Sequence, residues 1–280
     1  MQTINTITAL REALATERQQ GNSISFVPTM GNLHAGHMAL VEHANQAADC
    51  IVASIFVNPM QFSQNEDLDA YPKTLQADQA LLEASGVKYL FAPTAREMYP
   101  QGISTQVQIP VLSNLYCGAS RPGHFIGVAT ICAKLFNIVQ PNIAVFGKKD
   151  FQQLTIIRHM VRDLCIPVTI IGVETGRADD GLALSSRNAY LNNKELSIAP
   201  VLYRTLREAA AKIAGGERNY AAIETSAQQD LSKAGFKPDY FHVVNRETLD
   251  TATFADQKII ILAAAQLGKA RLIDNLLIDL

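Results

Sequence analysis

The chain has 280 residues and a formal net charge of −2 at pH 7, from 24 Lys and Arg against 26 Asp and Glu. Because no long basic run is present, the charge pattern does not indicate a surface for nucleic acid or anionic membranes. The sequence shows no apolar stretch of membrane-spanning length and no signal-peptide pattern. Its four scattered cysteines form no C-x-x-C motif, which favours free thiols. We therefore expect a soluble cytoplasmic protein with no nucleic-acid or membrane partner.

Apolar β-branched runs alternate with helical segments in the first part of the chain. This pattern predicts strands over 24–27, 51–57, 88–92, 143–146 and 168–173. It predicts helices over 40–48, 75–84, 128–139 and 151–164. Such alternation indicates an α/β fold with a doubly wound, Rossmann-like parallel sheet. Ligands of such sheets bind beyond the carboxyl ends of the strands, which is where we look for a site.

The last third of the chain has a different pattern. Asn192 and Glu195 have the spacing of a helix capping box, which predicts one helix to about Ile213. A second helix is predicted over 220–234, followed by strands over 240–244, 258–264 and 271–278. We expect a first domain of residues 1–176 and a smaller C-terminal α+β domain of residues 177–280.

Residues 28–37, with the sequence PTMGNLHAGH, follow the first predicted strand and lead into a helical run. A strand, a glycine-containing turn and a helix together place free backbone N–H groups and the positive helix end near a phosphate. His34 and His37 are three residues apart, so both rings are expected on one helix face. A pair of imidazoles there can neutralise charge that builds on a polyphosphate. A metal-binding pair and two surface histidines at a helix start are the alternatives.

Two polar segments follow later strands. Asn58 and Gln61 offer neutral amides that can bind hydroxyls or a carboxylate; the alternative is a strand that ends in a turn with Asn-Pro as the breaker. Lys149 lies beside a glycine at a strand end, where it can meet a phosphate or an adenine nitrogen. The spacing of Asp150 and Gln153 also fits a capping box, and a cap residue can still hold a ribose hydroxyl.

Two further segments combine glycines, hydroxyls and cations. Ser185, Ser186 and Arg187 form a compact donor cluster suited to a departing pyrophosphate, and a polar interdomain turn is the alternative. Residues 120–128 contain Arg121 and His124 before a predicted helix. They fit either a mobile cover over a site or a plain loop with an N-cap.

Together, five of these segments resemble the pantothenate synthetases, the pantoate–β-alanine ligase family. They occur in the family's order and spacing and are residues 28–37, 56–62, 121–125, 147–153 and 180–188. The pattern His34-Ala35-Gly36-His37 is shared more widely with nucleotidylyltransferases and class I aminoacyl-tRNA synthetases. The residues from Asn58 to Phe62 and Gln153 narrow the resemblance to the ligases.

The resemblance implies an ATP-dependent ligase of pantothenate synthesis. ATP and pantoate would give pantoyl adenylate and pyrophosphate, and the amine of β-alanine would then attack the acyl carbon and release AMP. The first domain would bind ATP and pantoate, and the C-terminal domain would act as a lid. The resemblance also implies a homodimer and Mg²⁺ held mostly by phosphate oxygens. Its protein ligands stay unassigned, with Asp78 the acidic residue to watch.

The family's motifs carry over to this chain residue by residue. The resemblance assigns catalytic roles to His34, His37, Lys149 and Arg187, and we interpret that of His37 as mainly electrostatic. It assigns ATP binding to Met30, Gly31, Asn32, Leu33, His34, Ala35, Gly36, His37, Gly147, Lys148, Lys149, Asp150, Gly176, Leu184, Ser185, Ser186 and Arg187. It assigns the binding of pantoate and β-alanine to Gln61, Gln153 and Asn58.

Four positions depart from the family pattern: Lys73, Cys117, Lys148 and Gly176. Lys148 and Gly176 border the expected nucleotide pocket, so we expect them to affect nucleotide affinity and not the reaction class.

Two rival functions compete with the ligase. A nucleotidylyltransferase with a phosphate-bearing acceptor would need a basic pocket, whereas Asn58, Gln61 and Gln153 supply neutral amides. A silent nucleotide-binding module with a dimerising tail would carry damage in the histidine pair or the Ser-Ser-Arg cluster, and both are intact.

Overall fold

The structure is a computed structural model that describes residues 1–62 and 74–280, and these divide into two compact units. Unit 1 comprises Met1–Lys148 and Gln153–Glu174. Unit 2 comprises Lys149–Gln152 and Thr175–Leu280. The predicted domain division after residue 176 stays a prediction. Lys73, one of the departures from the family pattern, lies outside the described residues.

Unit 1 is built on a parallel sheet that has six strands among the described residues, in the order β1-β4-β3-β2-β5-β6. The strands are β1 (Gln2–Ile4), β2 (Ile24–Thr29), β3 (Cys50–Ile55), β4 (Tyr89–Phe91), β5 (Ile143–Gly147) and β6 (Thr169–Val173). The doubly wound α/β fold is therefore confirmed. The strand order reverses between β2 and β5, so ligands are expected beyond the carboxyl ends of these two strands.

Helices cover both faces of this sheet. They are α1 (Ile7–Gln19), α2 (Ala35–Ala47), α3 (Leu75–Ala84), α4 (Ala95–Met98), α5 (Cys117–Ser120), α6 (His124–Val139) and α7 (Phe151–Asp163). On one face, Val41 of α2 and Leu82 of α3 join Val27 and Leu90 of the strands in a buried cluster. The sequence pattern did not indicate β1 or α1, because β1 is only three residues long and α1 has a narrow buried stripe.

The predicted starts of two helices in unit 1 were late. The helix predicted from residue 40 begins at Ala35, because the side chain of His34 caps it. The helix predicted from residue 128 begins at His124, after Gly123 with a φ of 83°. In both cases the first turn contains His and Gly, which have low intrinsic helix propensity.

Unit 2 combines an antiparallel sheet with three helices in its described residues. The elements are α8 (Asn193–Ile198), α9 (Val201–Ala214), α10 (Tyr220–Lys233), β7 (Lys237–Asn245), β8 (Lys258–Leu267) and β9 (Ala270–Asp279), with the strand order β7-β8-β9. The capping box of Asn192 and Glu195 is confirmed, with both hydrogen bonds at 2.9 Å. The single helix predicted to Ile213 is wrong. Pro200, which has no N–H, separates α8 from α9.

The core of unit 2 lies between α9, α10 and one face of the sheet, where Leu206, Ile223 and Phe241 are buried. None of the helices in the described ranges has the length and hydropathy needed to span a bilayer.

Candidate active site

The turn between β2 and α2, residues 31–37, is called the imidazole loop below. One buried carboxylate holds it: Asp78 of α3, 2% exposed, accepts the backbone N–H groups of Asn32 at 2.9 Å and Leu33 at 2.8 Å. The hydroxyl of Thr74 donates to the same carboxylate at 3.0 Å. Gly31 has a φ of 84°, and a Cβ there would lie 3.0 Å from Asp78 Oδ2. The loop is therefore fixed by contacts that require a glycine at its start.

The two histidines of the imidazole loop cap α2 reciprocally. His34 Nδ1 accepts the N–H of Gly36 at 3.1 Å, and His37 Nδ1 accepts the N–H of His34 at 3.4 Å. The ring centroids are 4.1 Å apart. Because Nδ1 of each ring is an acceptor, a neutral ring carries its proton on Nε2. Each Nε2 is then a hydrogen-bond donor, at the positive end of a helix.

The prediction that this turn offers free backbone N–H groups is wrong for most of the loop. Backbone N–H groups of the loop that donate to acceptors within the protein are those of Gly31, Asn32, Leu33, His34, Gly36 and His37. Those donors satisfy the capping and anchoring bonds first, because an unpaired buried N–H is costly. That the imidazoles of His34 and His37 serve as donors to an anion stays a prediction.

Asn58, after β3, is 1% exposed and has its amide fully used by the protein. Its Nδ2 donates to Gln61 Oε1 at 3.3 Å and to Gly127 O at 3.1 Å. Its Oδ1 accepts from Tyr99 Oη at 2.8 Å and from Met60 N at 3.3 Å. A primary amide has two N–H donors and two acceptor lone pairs, so these four bonds satisfy it. In this structure Asn58 therefore holds Gln61, and its predicted contact with substrate stays a prediction.

Gln61 lies in the 3₁₀ turn Pro59–Gln61 and is 8% exposed. Its Nε2 donates to Met30 Sδ at 2.7 Å, which links the turn after β3 to the end of β2. A Cβ on Gly127 would lie 2.5 Å from Met60 O and 2.6 Å from the Gln61 backbone. Gly127 therefore allows α6 to touch the turn directly.

The segment 120–128 also reaches this turn. His124 Nδ1 lies 2.9 Å from Gln61 O, and Arg121 Nη1 lies 3.0 Å from His124 Nε2.

Tyr99 contributes to the same turn through Asn58. Burial raises the pKa of Tyr99 to about 12, so its hydroxyl stays protonated and donates to Asn58. The sequence pattern did not indicate Tyr99, since a tyrosine in a loop carries no motif of its own.

Gly147 ends β5, next to β2 at the switch point. The following Lys148 forms an ion pair with Glu174, which comes directly after β6. The departure from the family pattern at Lys148 thus has a partner at the neighbouring strand end. Gln153 lies on α7 and is partly buried.

In unit 2, the segment from Thr175 to Arg187 is called the clamp loop below. Arg177 pairs with Asp274 of β9 through two bonds, of 2.7 and 2.9 Å. Gly176 O accepts the N–H of Leu184 at 2.9 Å. Ser185 caps the 3₁₀ turn Ser186–Tyr190 and accepts the N–H of Arg187 at 3.2 Å.

The remaining predicted residues of unit 2 are in the segment 149–152. The main-chain O of Lys149 accepts from Asn275 Nδ2 at 2.9 Å, and Asp150 is exposed. Asp274 and Asn275 were missed by the sequence reasoning. A buried Asp-Asn pair in an apolar strand is the signal that could have drawn attention to them, because buried polar side chains need partners.

The profile of the family described as Pantoate-beta-alanine ligase matches residues 2–277 of the chain. A pantothenate synthetase of Pseudomonas putida (strain GB-1) is 57% identical to it, over 100% of this chain and 98% of the relative. The chain belongs to the pantoate–β-alanine ligase family. The predicted enzyme class, a ligase, is confirmed with it.

Solved structures of pantoate–β-alanine ligases have the same fold. Pantothenate synthetase from Thermus thermophilus is 47% identical, with a TM-score of 0.92 and coverage of 99% of both chains. The ligase from Francisella tularensis, in complex with beta-gamma ATP and beta-alanine, is 33% identical, with a TM-score of 0.84 over 99% of this chain and 97% of its own. The similarity therefore covers both units.

Proposed function

We propose that the chain condenses pantoate with β-alanine to pantothenate, with ATP as co-substrate and pantoyl adenylate as the intermediate. The observation that carries the proposal is the reciprocal cap of His34 and His37 at the start of α2, which uses Nδ1 of both rings as acceptors and so places the proton of each neutral ring on Nε2. Membership of the ligase family supports it, and so does the Francisella relative, solved with beta-gamma ATP and beta-alanine.

In the first step, a carboxylate oxygen of pantoate attacks the α-phosphorus of ATP. The bond from that phosphorus to the bridging oxygen breaks, and pyrophosphate leaves with the electron pair. His34 and His37 would donate from Nε2 to the phosphate oxygens as their charge grows, a role that needs no proton transfer. The protein supplies alignment and charge stabilisation, and no side chain acts as nucleophile.

The remaining ATP contacts are proposed for two groups of residues. Lys149 and Arg187 would act as catalytic cations on the phosphates, Arg187 through its planar fork of donors. Adenosine and the triphosphate would also meet backbone and side-chain atoms of Met30, Gly31, Asn32, Leu33, Ala35, Gly36, Gly147, Lys148, Asp150, Gly176, Leu184, Ser185 and Ser186.

Pantoate would be held by Gln61 and Gln153, whose neutral amides suit hydroxyls and a carboxylate that must keep its reactivity. Asn58 would orient the side chain of Gln61 through their hydrogen bond, because its own amide is satisfied by protein partners. In the second step the neutral amine of β-alanine attacks the acyl carbon of the adenylate. The bond to the AMP oxygen breaks, AMP leaves, and the amine proton goes to solvent.

Mg²⁺ is proposed to arrive with ATP, held by phosphate oxygens and water. The side chains of residues 1–62 and 74–280 include no group of three His, Cys, Asp or Glu suited to a metal. Asp78 already accepts two backbone N–H groups, so it fits an anchor better than a metal ligand. When bound, the ion would neutralise phosphate charge.

Two further properties are proposed with this function. The first is a cytoplasmic location, because the four cysteines of the described chain are free thiols, as is usual in a reducing compartment. A homodimer is proposed through an edge strand of the unit 1 sheet, where the partly exposed β6 has an unpaired edge among the described strands.

The test is pantoate-dependent exchange of labelled pyrophosphate into ATP without β-alanine. We expect exchange with pantoate and none without it, because only an adenylating enzyme reverses the first step. The variant Gln153→Ala should raise the KM for pantoate far more than that for ATP. Its control is Gln79→Ala, at a glutamine of α3 that bonds to Thr3, and this change should alter neither KM. Exchange that does not depend on pantoate would overturn the proposal, and so would equal rises in the KM values for pantoate and ATP in Gln153→Ala.

A further inference from the structure

One arginine near the start of the clamp loop, Arg177, contacts both β9 and the turn of the loop at Gly181. Arg177 donates to both oxygens of Asp274, which is 4% exposed, and also to Gly181 O at 3.1 Å. Its guanidinium stacks on the ring of Tyr203 with a separation of 3.6 Å. The bidentate pair and the stacking fix both the place and the plane of the guanidinium.

The course of the clamp loop follows from this arginine. Leu184 N donates to Gly176 O and Ala178 N donates to Leu182 O, both at 2.9 Å, so the segment is a narrow hairpin. Gly181, at its tip, has a φ of 95°, and a Cβ there would lie 2.7 Å from the ring of Tyr203. The hairpin runs directly into Ser185, Ser186 and Arg187, whose position therefore depends on Arg177 and on Asp274 behind it.

Asn275, which follows Asp274 in β9, contacts a second segment of unit 2, residues 149–152. Asn275 Nδ2 donates to the main-chain O of Lys149 at 2.9 Å, and Asn275 N donates to Asp274 Oδ1 at 2.8 Å. Asn275 is 4% exposed, and its buried side-chain amide donates to the Lys149 carbonyl, as a buried polar group must be paired. Two adjacent residues of one strand thus hold Lys149 and the clamp loop.

We propose that Asp274 and Asn275 are positioning residues of the ATP site, which set the distance between Lys149 and the Ser185–Arg187 segment. The inference rests on the proposed function, in which both segments contact phosphates. In this proposal neither β9 residue contacts ATP itself. Each acts through another group, Asp274 through the guanidinium of Arg177 and Asn275 through the Lys149 carbonyl. Misplacement of a phosphate donor by about 1 Å is enough to cost as much as 10²-fold in rate.

The experiment is a double-mutant cycle in the pyrophosphate exchange assay with the full chain. Its variants are Asn275→Ala, Lys149→Ala and the double variant. Asn275→Ala alone should reduce kcat/KM for ATP about 10-fold and leave the KM for pantoate within about twofold. In the Lys149→Ala background the same change should cost less than about twofold, because the group that it positions is gone. An equal loss in both backgrounds would overturn the inference.

A second variant keeps the test valid if Asn275→Ala folds poorly. Asp274→Asn keeps the shape of the side chain and weakens the pair with Arg177, and we expect it to raise the KM for ATP about 5-fold or more. Its control is Asp279→Asn, which removes the Arg246 pair at the end of the same strand and should leave the KM unchanged. Equal effects of Asp274→Asn and Asp279→Asn would overturn the inference. A wild-type chain without pantoate-dependent exchange would overturn the proposed function together with it.

Discussion

The imidazole loop of unit 1 and the clamp loop of unit 2 are each held in place by a buried carboxylate, but in different ways. Each begins or turns at a glycine with positive φ. Gly31 packs against the anchoring carboxylate of Asp78, and Gly181 packs against the ring of Tyr203, on which Arg177 stacks. In the imidazole loop, the carboxylate of Asp78 binds backbone N–H groups directly. In the clamp loop, the carboxylate of Asp274 binds a side chain, Arg177, which then binds the backbone.

The difference predicts how each loop tolerates change. A carboxylate on backbone N–H groups leaves no side chain between anchor and loop, so its loss exposes buried donors at once. An arginine between carboxylate and loop adds rotatable bonds and an aromatic contact, so partial loss of the pair leaves the stacking intact. We expect the imidazole loop to be the more rigid of the two.

The largest effect is expected for His37→Ala in the imidazole loop. The change removes a donor to the growing phosphate charge and half of the reciprocal cap of α2, and it should reduce pyrophosphate exchange about 10²-fold or more. His43→Ala is the matched control, since His43 is exposed on the same helix and bonds only to the preceding turn in the contacts described for it. Near-normal exchange in His37→Ala would remove the imidazole from the mechanism.

Asp78→Asn should rank next. The neutral amide loses the charge-assisted bonds to Asn32 and Leu33, and we expect a loss of about 2 kcal/mol in the free energy of unfolding together with about a 10-fold rise in the KM for ATP. Asp49→Asn is the control, because Asp49 also accepts a backbone N–H, from Ser23, but is exposed and outside the loop. A KM that stays at the wild-type value while stability falls would mean that the anchor serves folding alone.

Gly181→Ala should have a smaller effect, confined to the clamp loop. Positive φ costs an alanine about 1–2 kcal/mol, and the added methyl group also meets Tyr203 at 2.7 Å. Gly216→Ala separates the two causes, because Gly216 has a φ of 100° with nothing within 4 Å. We expect both variants to lose stability and only Gly181→Ala to raise the KM for ATP, by about threefold; identical kinetics would show that the tip of the loop does not matter.

The smallest effect concerns Glu17, a buried carboxylate that touches neither loop. The ammonium of Lys88 lowers the pKa of Glu17 below the ordinary 4.5, with help from Tyr89 and Asn22. Its stabilising contribution is therefore present above pH 4.5 and declines as the pH falls through the lowered pKa. Glu17→Gln should lower the melting temperature at pH 7 and differ less from wild type near pH 3, with exchange kinetics unchanged. A gap that does not narrow on acidification would contradict the cause assigned here.

Much of unit 1 could be predicted from its sequence, because buried parallel strands appear as continuous apolar runs. The predicted helix over 75–84 matches α3 at both ends. The predictions missed helix starts at His and Gly and the break at Pro200, since local caps and a single missing N–H decide those boundaries.

The candidate site was predicted less completely than the fold. His34, His37 and Gln61 stand in motifs with recognisable spacing, so the sequence pointed to them directly. The sequence pattern did not indicate Tyr99, Gly127, Asp274 or Asn275. Each of them contacts residues that are distant along the chain, and spacing within a segment carries no information about such contacts. The contacts of Asn58 could not be predicted for the same reason, because two of its partners, Gly127 and Tyr99, come from distant segments.

The order of residues alone determined the fold class, the family and the side chains available for chemistry, since periodicity and motif spacing are local properties. Only the tertiary structure decided which backbone and side-chain groups are already hydrogen-bonded within the protein. The backbone N–H groups of the imidazole loop and the amide of Asn58 are taken up by protein partners. A buried polar group must be paired, and its partner is chosen by packing between distant segments.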